Sequence, residues 1–123
     1  MFLRSTDGGN TFSAPVVAIG GVSVGTLAVG PEGEVYVAGG NGRRLPFGTS
    51  INAAAGTEIP SFVSYPDLVL GFYVPSTDSN PGGLIGQTWV SVDTSDGPYA
   101  GNIYLLTHTG LDPVLGVCPS NIP

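Results

Sequence analysis

The densest group of chemistry-bearing side chains in this sequence is Asp93-Thr94-Ser95-Asp96-Gly97, with Tyr99 close behind. Carboxylates and carbonyls in a Gly-containing loop are the chemistry that calcium takes. An EF-hand would need Glu at the twelfth loop position, about where Tyr104 falls, so only a calcium site of another kind is open here. No other cofactor is expected. Asp93, Asp96 and Tyr99 form the candidate ligand loop, because loops at strand ends carry function, although a solvated turn is the plainer reading. His108 is the single histidine, and with Asp112 it lacks a placed nucleophile, so neither zinc nor triad chemistry has support. Cys118 is the single cysteine, which excludes an intrachain disulfide and a Cys metal site. Gly39-Gly40-Asn41-Gly42 lacks the Lys-Ser/Thr and following helix of a phosphate loop. Arg43 and Arg44 are neighbours, so along a strand they would point to opposite faces. No catalytic or metal-ligating set is assigned.

The elements that must position these residues read as strands. Residues 2–4 end one strand, Thr6-Asp7-Gly8-Gly9-Asn10 turns, and 11–19 forms the next. Gly25 to Val29 and Glu34 to Ala38 flank Pro31-Glu32-Gly33, a reverse turn between antiparallel strands. Residues 39–60 show no pattern, and Ala53-Ala54-Ala55 is too short for a helix. Residues 61–65 and 68–74 read as strands, 75–86 as a polar loop, and Trp89 to Asp93 and Asn102 to Thr107 as strands again.

A hairpin recurs. Leu27-Ala28-Val29 with Glu34-Val35-Tyr36-Val37-Ala38 matches Val90-Ser91-Val92 with Asn102-Ile103-Tyr104-Leu105-Leu106, at offsets of 63 (27 to 90) and 68 (36 to 104). This recurrence predicts an all-β fold, a partial β-propeller of antiparallel four-stranded blades. Tyr36 and Tyr104 hold equivalent positions, which blade packing explains.

Composition agrees. Charged residues are 10% and hydrophobic ones 41%, with 20 Gly and 11 Pro lying between Val, Ile, Leu and Tyr runs, which suits a turn-rich β domain rather than disorder. Lys is absent and the net charge is −6, so the chain cannot build the basic face that nucleic acid or an anionic membrane requires. The apolar stretch from Ala14 to Val29 is too short and too broken by Gly to span a bilayer. Met1 to Ser5 does not read as a signal peptide, having no basic leader followed by an apolar run.

One motif is specific. Ser5-Thr6-Asp7-Gly8-Gly9-Asn10-Thr11-Phe12 fits Ser-x-Asp-x-Gly-x-Thr-aromatic at all five fixed positions. Asp7 can accept hydrogen bonds from N–H groups of its own turn, Gly9 can take a positive φ, Ser5 and Thr11 add hydroxyls, and Phe12 is expected to plug the apolar space beneath. The motif resembles the Asp box, or bacterial neuraminidase repeat, of sialidase-like propellers.

The resemblance implies that the box joins the third and fourth strands of a blade and lies away from any active site, so Asp7 is a structural staple. It further implies that residues 1–20 end one blade, 21–86 form one blade with a degraded box, and 87–123 start a further one. Sialidases of this family clamp a substrate carboxylate with three arginines and use a Tyr–Glu pair with an Asp acid/base. This chain has only Arg4, Arg43 and Arg44, of which Arg4 abuts the box. A complete clamp is not expected. A second box is expected near 61–80, where Ser76-Thr77-Asp78-Ser79-Asn80 keeps only the Ser-x-Asp start. The expected function is a non-catalytic segment of a sialidase-like Asp-box propeller, whose parent is an exo-sialidase or a glycan-recognising protein. The alternative is a structural or protein-interaction propeller without hydrolase activity. Expected partners are glycans, and the remaining blades of a parent chain or copies of this chain. An exported parent would place it in an extracellular or periplasmic setting.

Overall fold

The computed structural model describes residues 1–22, 24–40, 44–54, 58–66, 68–69 and 87–107. Among these residues every regular element is a strand: β1 (Val24–Val29), β2 (Val35–Gly40), β3 (Arg44–Leu45), β4 (Phe47–Ser50), β5 (Val63–Ser64), β6 (Leu68–Val69), β7 (Trp89–Val92) and β8 (Ile103–Leu106). The fold is therefore all-β and antiparallel.

The main sheet is a four-stranded meander in the order β1-β2-β4-β5. Its first hairpin forms because Gly30 accepts the Gly33 N–H across Pro31-Glu32, and Gly33 takes φ +85° to re-enter the ladder. That is a type I turn closed by a glycine bulge, which matches the right-handed twist of the strands. The register pairs Val29 with Val35 and Leu27 with Val37. β2 continues into β4 with Val35 opposite Ser50 and Ala38 opposite Phe47, and β4 pairs Thr49 with Val63 of β5. The short strands β3 and β6 pair beside this sheet.

Alternation gives the sheet two apolar faces. One carries Thr26, Tyr36, Ala38, Phe47 and Tyr65, and the β7–β8 hairpin covers it. Thr26 fixes this junction: its hydroxyl donates to the Thr88 carbonyl and accepts the Val90 N–H at 2.8 Å. Thr88 and Ala38 are fully buried there, and Val90 is buried as well. The other face carries Leu27, Val37 and Gly48, and residues 1–22 cover part of it. Ile19 packs so closely on Gly48 that any side chain at Gly48 would collide with it. Phe2 meets Phe62 edge-to-face at 5.1 Å between centroids. Among the described residues, the β7–β8 hairpin therefore lies on one face of the four-stranded sheet and residues 1–22 on part of the other.

The sequence reading needs three amendments. Residues 11–19 do not form a strand; they touch residue 2 through one isolated bridge, Phe2 with Val16. The stretch 39–60, read as patternless, holds β3 and β4. Gly48 and Pro46 hid the signal, since the first contributes no side chain and the second is disfavoured in strands. The predicted strands at 61–65 and 68–74 are shorter, at Val63–Ser64 and Leu68–Val69, and residues 70–74 lie outside the described ones.

Candidate functional site

Among the described residues, the Ser5–Phe12 turn is the most densely bonded polar cluster. The Ser5 hydroxyl donates to Asp7 Oδ1 at 2.8 Å and accepts the Gly9 N–H at 2.8 Å. Asp7 Oδ1 also accepts the Thr11 N–H at 2.9 Å, and Oδ2 accepts the Thr11 hydroxyl at 2.6 Å. Asn10 closes the ring by donating to the Asp7 carbonyl at 2.7 Å. Gly8 and Gly9 both sit at positive φ, 72° and 92°, where an L side chain is strained. The Thr11 hydroxyl first, then the Thr11 N–H and the Ser5 hydroxyl, hold the Asp7 carboxyl at about 2, below its ordinary 3.8. Hydrogen bonds to the charged form lower a carboxyl pKa in this way. Asp7 is therefore a locked anion whose oxygens are occupied by its own turn, the opposite of a poised acid or base.

Phe12 does not plug the space beneath the hairpin. It is 62% exposed. Phe2 and Phe62 fill the interface between this hairpin and the main sheet instead.

Arg4 reaches away from the turn. Its Nη1 donates to the carbonyls of Asn52 and Ala53 at 3.0 and 3.2 Å, and its Nη2 to that of Glu58 at 2.9 Å. The guanidinium fork thus pins the connection from β4 to β5. That connection is built like the first turn. Ser50 donates from its hydroxyl to Asn52 Oδ1 at 3.0 Å, and Asn52 N–H points back to Ser50 Oγ at 3.4 Å. Asn52 Oδ1 then accepts the Ser61 N–H at 3.0 Å and the Ser61 hydroxyl at 3.4 Å. Ser50, Asn52, Ser61 and Phe62 stand where Ser5, Asp7, Thr11 and Phe12 stand in the first turn. The strand before it also repeats, with Phe2 and Phe47 both 45 residues apart, as are Ser5 and Ser50. Sequence reading missed this second turn for two reasons. The carboxylate is replaced by an amide, and the accepting span is nine residues (Asn52 to Ser61) instead of four (Asp7 to Thr11). Ser50-x-Asn52 followed by Ser61-Phe62 was the available signal. Within the main sheet, the turn that joins the third strand to the fourth lies at 51–62, upstream of most of the stretch 61–80; Ser76 to Pro81 fall outside the described residues.

The candidate ligand loop is an exposed turn. Asp93 Oδ1 accepts the Ser95 N–H at 2.9 Å, and Gly101 at φ +81° donates to the Asp93 carbonyl. Hydrogen bonds from Ser95, side chain and then backbone, lower the Asp93 pKa. Tyr99 is exposed and its carbonyl accepts the Asn102 N–H. Asp93, Asp96 and Tyr99 therefore share one loop. Among the described residues, no three His, Cys, Asp or Glu side chains gather to hold a metal ion. Arg44 is exposed on β3, and Leu45 beside it is buried. Arg43, His108, Asp112 and Cys118 lie outside the described residues.

Open space lies elsewhere. An apolar cavity of about 470 Å³ is lined by Phe47, Tyr65, Pro66 and Leu68 on one side and Ile103 and Leu105 on the other. Above it runs an aromatic row, with Tyr36 stacked on Phe47 at 6.3 Å and Phe47 tilted against Tyr65 at 5.6 Å. Burial, then the hydrogen bond to the Glu34 carboxylate, push the Tyr36 phenol up. Neither the Ser5–Phe12 turn nor the Asp93–Gly101 loop lines this cavity.

No family model, curated protein or solved structure matches the chain. No helix among the described residues is long and apolar enough to cross a membrane.

Proposed function

We propose that this chain is a non-catalytic scaffold segment of a sialidase-like Asp-box propeller, the parent being an exo-sialidase or a glycan-recognising protein. The observation that carries the reading is the pair of Ser-x-Asp and Ser-x-Asn turns, 45 residues apart, each closing the outer hairpin of a β unit. A blade whose third-to-fourth-strand turn is stapled this way is what the Asp-box resemblance implies. The meander with hairpins layered on both of its faces adds support, because successive blades stack face to face.

Arg4 supports the non-catalytic part. Its guanidinium is directed to three backbone carbonyls, which is a structural role rather than a carboxylate clamp. Asp7 supports it too, since both of its oxygens are bound within the turn. Folds host many functions, so activity must be sought at the site. The test is turnover of a fluorogenic sialoside by this chain and by its full-length parent. No turnover by the chain with turnover by the parent is the expected result. Enzyme-dependent turnover by the chain alone overturns the reading, and an inert parent with folded blades turns it into an interaction propeller.

A further inference from the structure

Asp-Gly occurs twice in the sequence, at Asp7-Gly8 and at Asp96-Gly97. This dipeptide reacts with itself. The glycine amide nitrogen attacks the aspartyl Cγ, and no Cβ on the glycine shields it. An N–Cγ bond forms, the C–OH bond breaks, and the proton of the nitrogen leaves with the hydroxyl as water. The product is a succinimide ring, which water opens at either carbonyl. Opening at Cγ restores aspartate. Opening at the backbone carbonyl leaves isoaspartate, with the chain running through the former side chain. The attack needs a carboxyl that is neutral, so that hydroxyl can leave, and free to swing onto the next nitrogen.

The structure separates the two copies on both requirements. The Asp7 carboxylate accepts the Thr11 hydroxyl at 2.6 Å, the Thr11 N–H at 2.9 Å and the Ser5 hydroxyl at 2.8 Å. Swinging it onto Gly8 would break all three bonds. The same bonds hold its pKa at about 2 instead of 3.8, which makes the neutral acid rarer on the order of 60-fold. Asp96 is exposed, and its carboxylate accepts no hydrogen bond among the described residues. The bonds of its loop go to neighbours instead. Asp93 Oδ1 takes the Ser95 N–H, and the reacting nitrogen, that of Gly97, is restrained by one long bond to Ser95 Oγ at 3.2 Å. Asp93 itself is bonded and is followed by Thr94, whose branched Cβ crowds the next nitrogen.

The loop also has room for the product. Its closing bonds are Asp93 N–H to the Asn102 carbonyl at 2.9 Å and Gly101 N–H to the Asp93 carbonyl at 2.8 Å. Both lie outside Asp96-Gly97, and neither residue belongs to β7 or β8. The extra backbone methylene of isoaspartate therefore leaves the strand register intact, as changes at exposed loop tips do.

We infer that Asp96-Gly97 is a site of spontaneous isoaspartate formation in the folded protein, and hence an acceptor for a methyltransferase that esterifies isoaspartyl carboxylates. In that second step an isoaspartyl carboxylate oxygen attacks the sulfonium methyl of S-adenosylmethionine, forming the ester and releasing S-adenosylhomocysteine. The Ser5–Thr11 staple withholds Asp7-Gly8 from the same reaction. None of this depends on the propeller reading.

The test ages the folded chain in mildly acidic buffer beside the same chain in guanidinium chloride. Trypsin cuts at Arg4, Arg43 and Arg44, which places Asp7 and Asp96 on different peptides. Electron-transfer fragmentation locates the isoaspartate, and methyl transfer from labelled S-adenosylmethionine by an isoaspartyl methyltransferase counts it. Asn41-Gly42 shares the peptide of Asp7 and is told apart by the mass that deamidation adds. In the folded chain isoaspartate at Asp96 is expected to exceed that at Asp7 by at least about tenfold. In denaturant the two sites are expected to isomerise alike. Asp96→Glu should remove the label from its peptide, since the larger ring closes far more slowly. Thr11→Ala should raise isomerisation at Asp7 in the folded chain and leave Asp96 unchanged. Absence of isoaspartate at Asp96 in the folded chain overturns the inference, as do equal amounts at the two sites. A Thr11→Ala chain that leaves Asp7 as inert as before overturns the protective role of the staple.

Discussion

The two stapled turns solve one problem with different chemistry. The first, Ser5 to Phe12, is short and centred on a carboxylate. The second, Ser50 to Phe62, is longer and centred on an amide. The carboxylate holds a tight turn by itself, because both of its oxygens accept bonds from donors within four residues. The amide has one accepting oxygen, and it spends its NH₂ on the Ile59 carbonyl at 3.3 Å. Such a turn needs outside support, which Arg4 supplies from the strand before the first turn. A neutral staple with an external clamp thus replaces a charged staple without one. Asp7 itself stays solvent-facing, whereas the second turn is sewn into an interface.

That contrast can be broken at several places. Arg4→Ala should be the most damaging change, because it frees three carbonyls of the second turn at once. Loss of about 1.5–3 kcal/mol is expected from hydrogen bonds to a charged donor, read by urea denaturation. The amides of Glu58, Ile59 and Ser61 should lose protection before those of residues 5–11. Equal loss in both turns would mean that Arg4 is not specific to the second.

Phe62→Ala should cost about 1–2 kcal/mol, since it removes the edge-to-face partner of Phe2 at a layered interface. Phe12→Ala should stay within about 0.5 kcal/mol, as surface substitutions do. Chemical denaturation of both variants side by side checks the difference. A reversed order would return Phe12 to the plugging role that the motif predicts.

Acid should open the turns unequally. The folded Asp7 carboxyl titrates at about 2, below its unfolded value near 3.8. Its stabilising contribution is therefore complete above about pH 4 and is lost as pH falls toward 2. The Thr11 amide should shift and lose protection through this window, while the Ser61 amide, bound to a non-titrating side chain, should not follow. NMR pH titration of the two amides decides it. Asp7→Asn should remove the difference.

The smallest effect is expected from Asn52→Asp. The new carboxylate keeps the acceptor for Ser61 but loses the donor to the Ile59 carbonyl. The two changes oppose each other, so the melting temperature should move little at neutral pH. The Ser61 amide should acquire the acid dependence of Thr11. Without that transfer, the two turns would not be chemically equivalent.

Sequence by itself determined the local devices. Alternation at Leu27-Ala28-Val29 and Val35-Tyr36-Val37, with Pro31 and Gly33 between, dictates a hairpin because these φ preferences and side-chain periods are properties of neighbouring residues. The Asp7 turn was legible for the same reason, since every one of its bonds spans four residues or fewer. Tertiary structure alone decided three things. It chose β4 as a strand although Gly48 gives no pattern, because Ile19, remote in sequence, needs the space a side chain would take. It turned Phe12 to solvent and gave its place to Phe2 and Phe62. It also brought Arg4 to carbonyls some fifty residues away, which makes a working staple of Asn52. These outcomes depend on which faces meet, and that is settled by burial across the whole sheet rather than by any local run of residues.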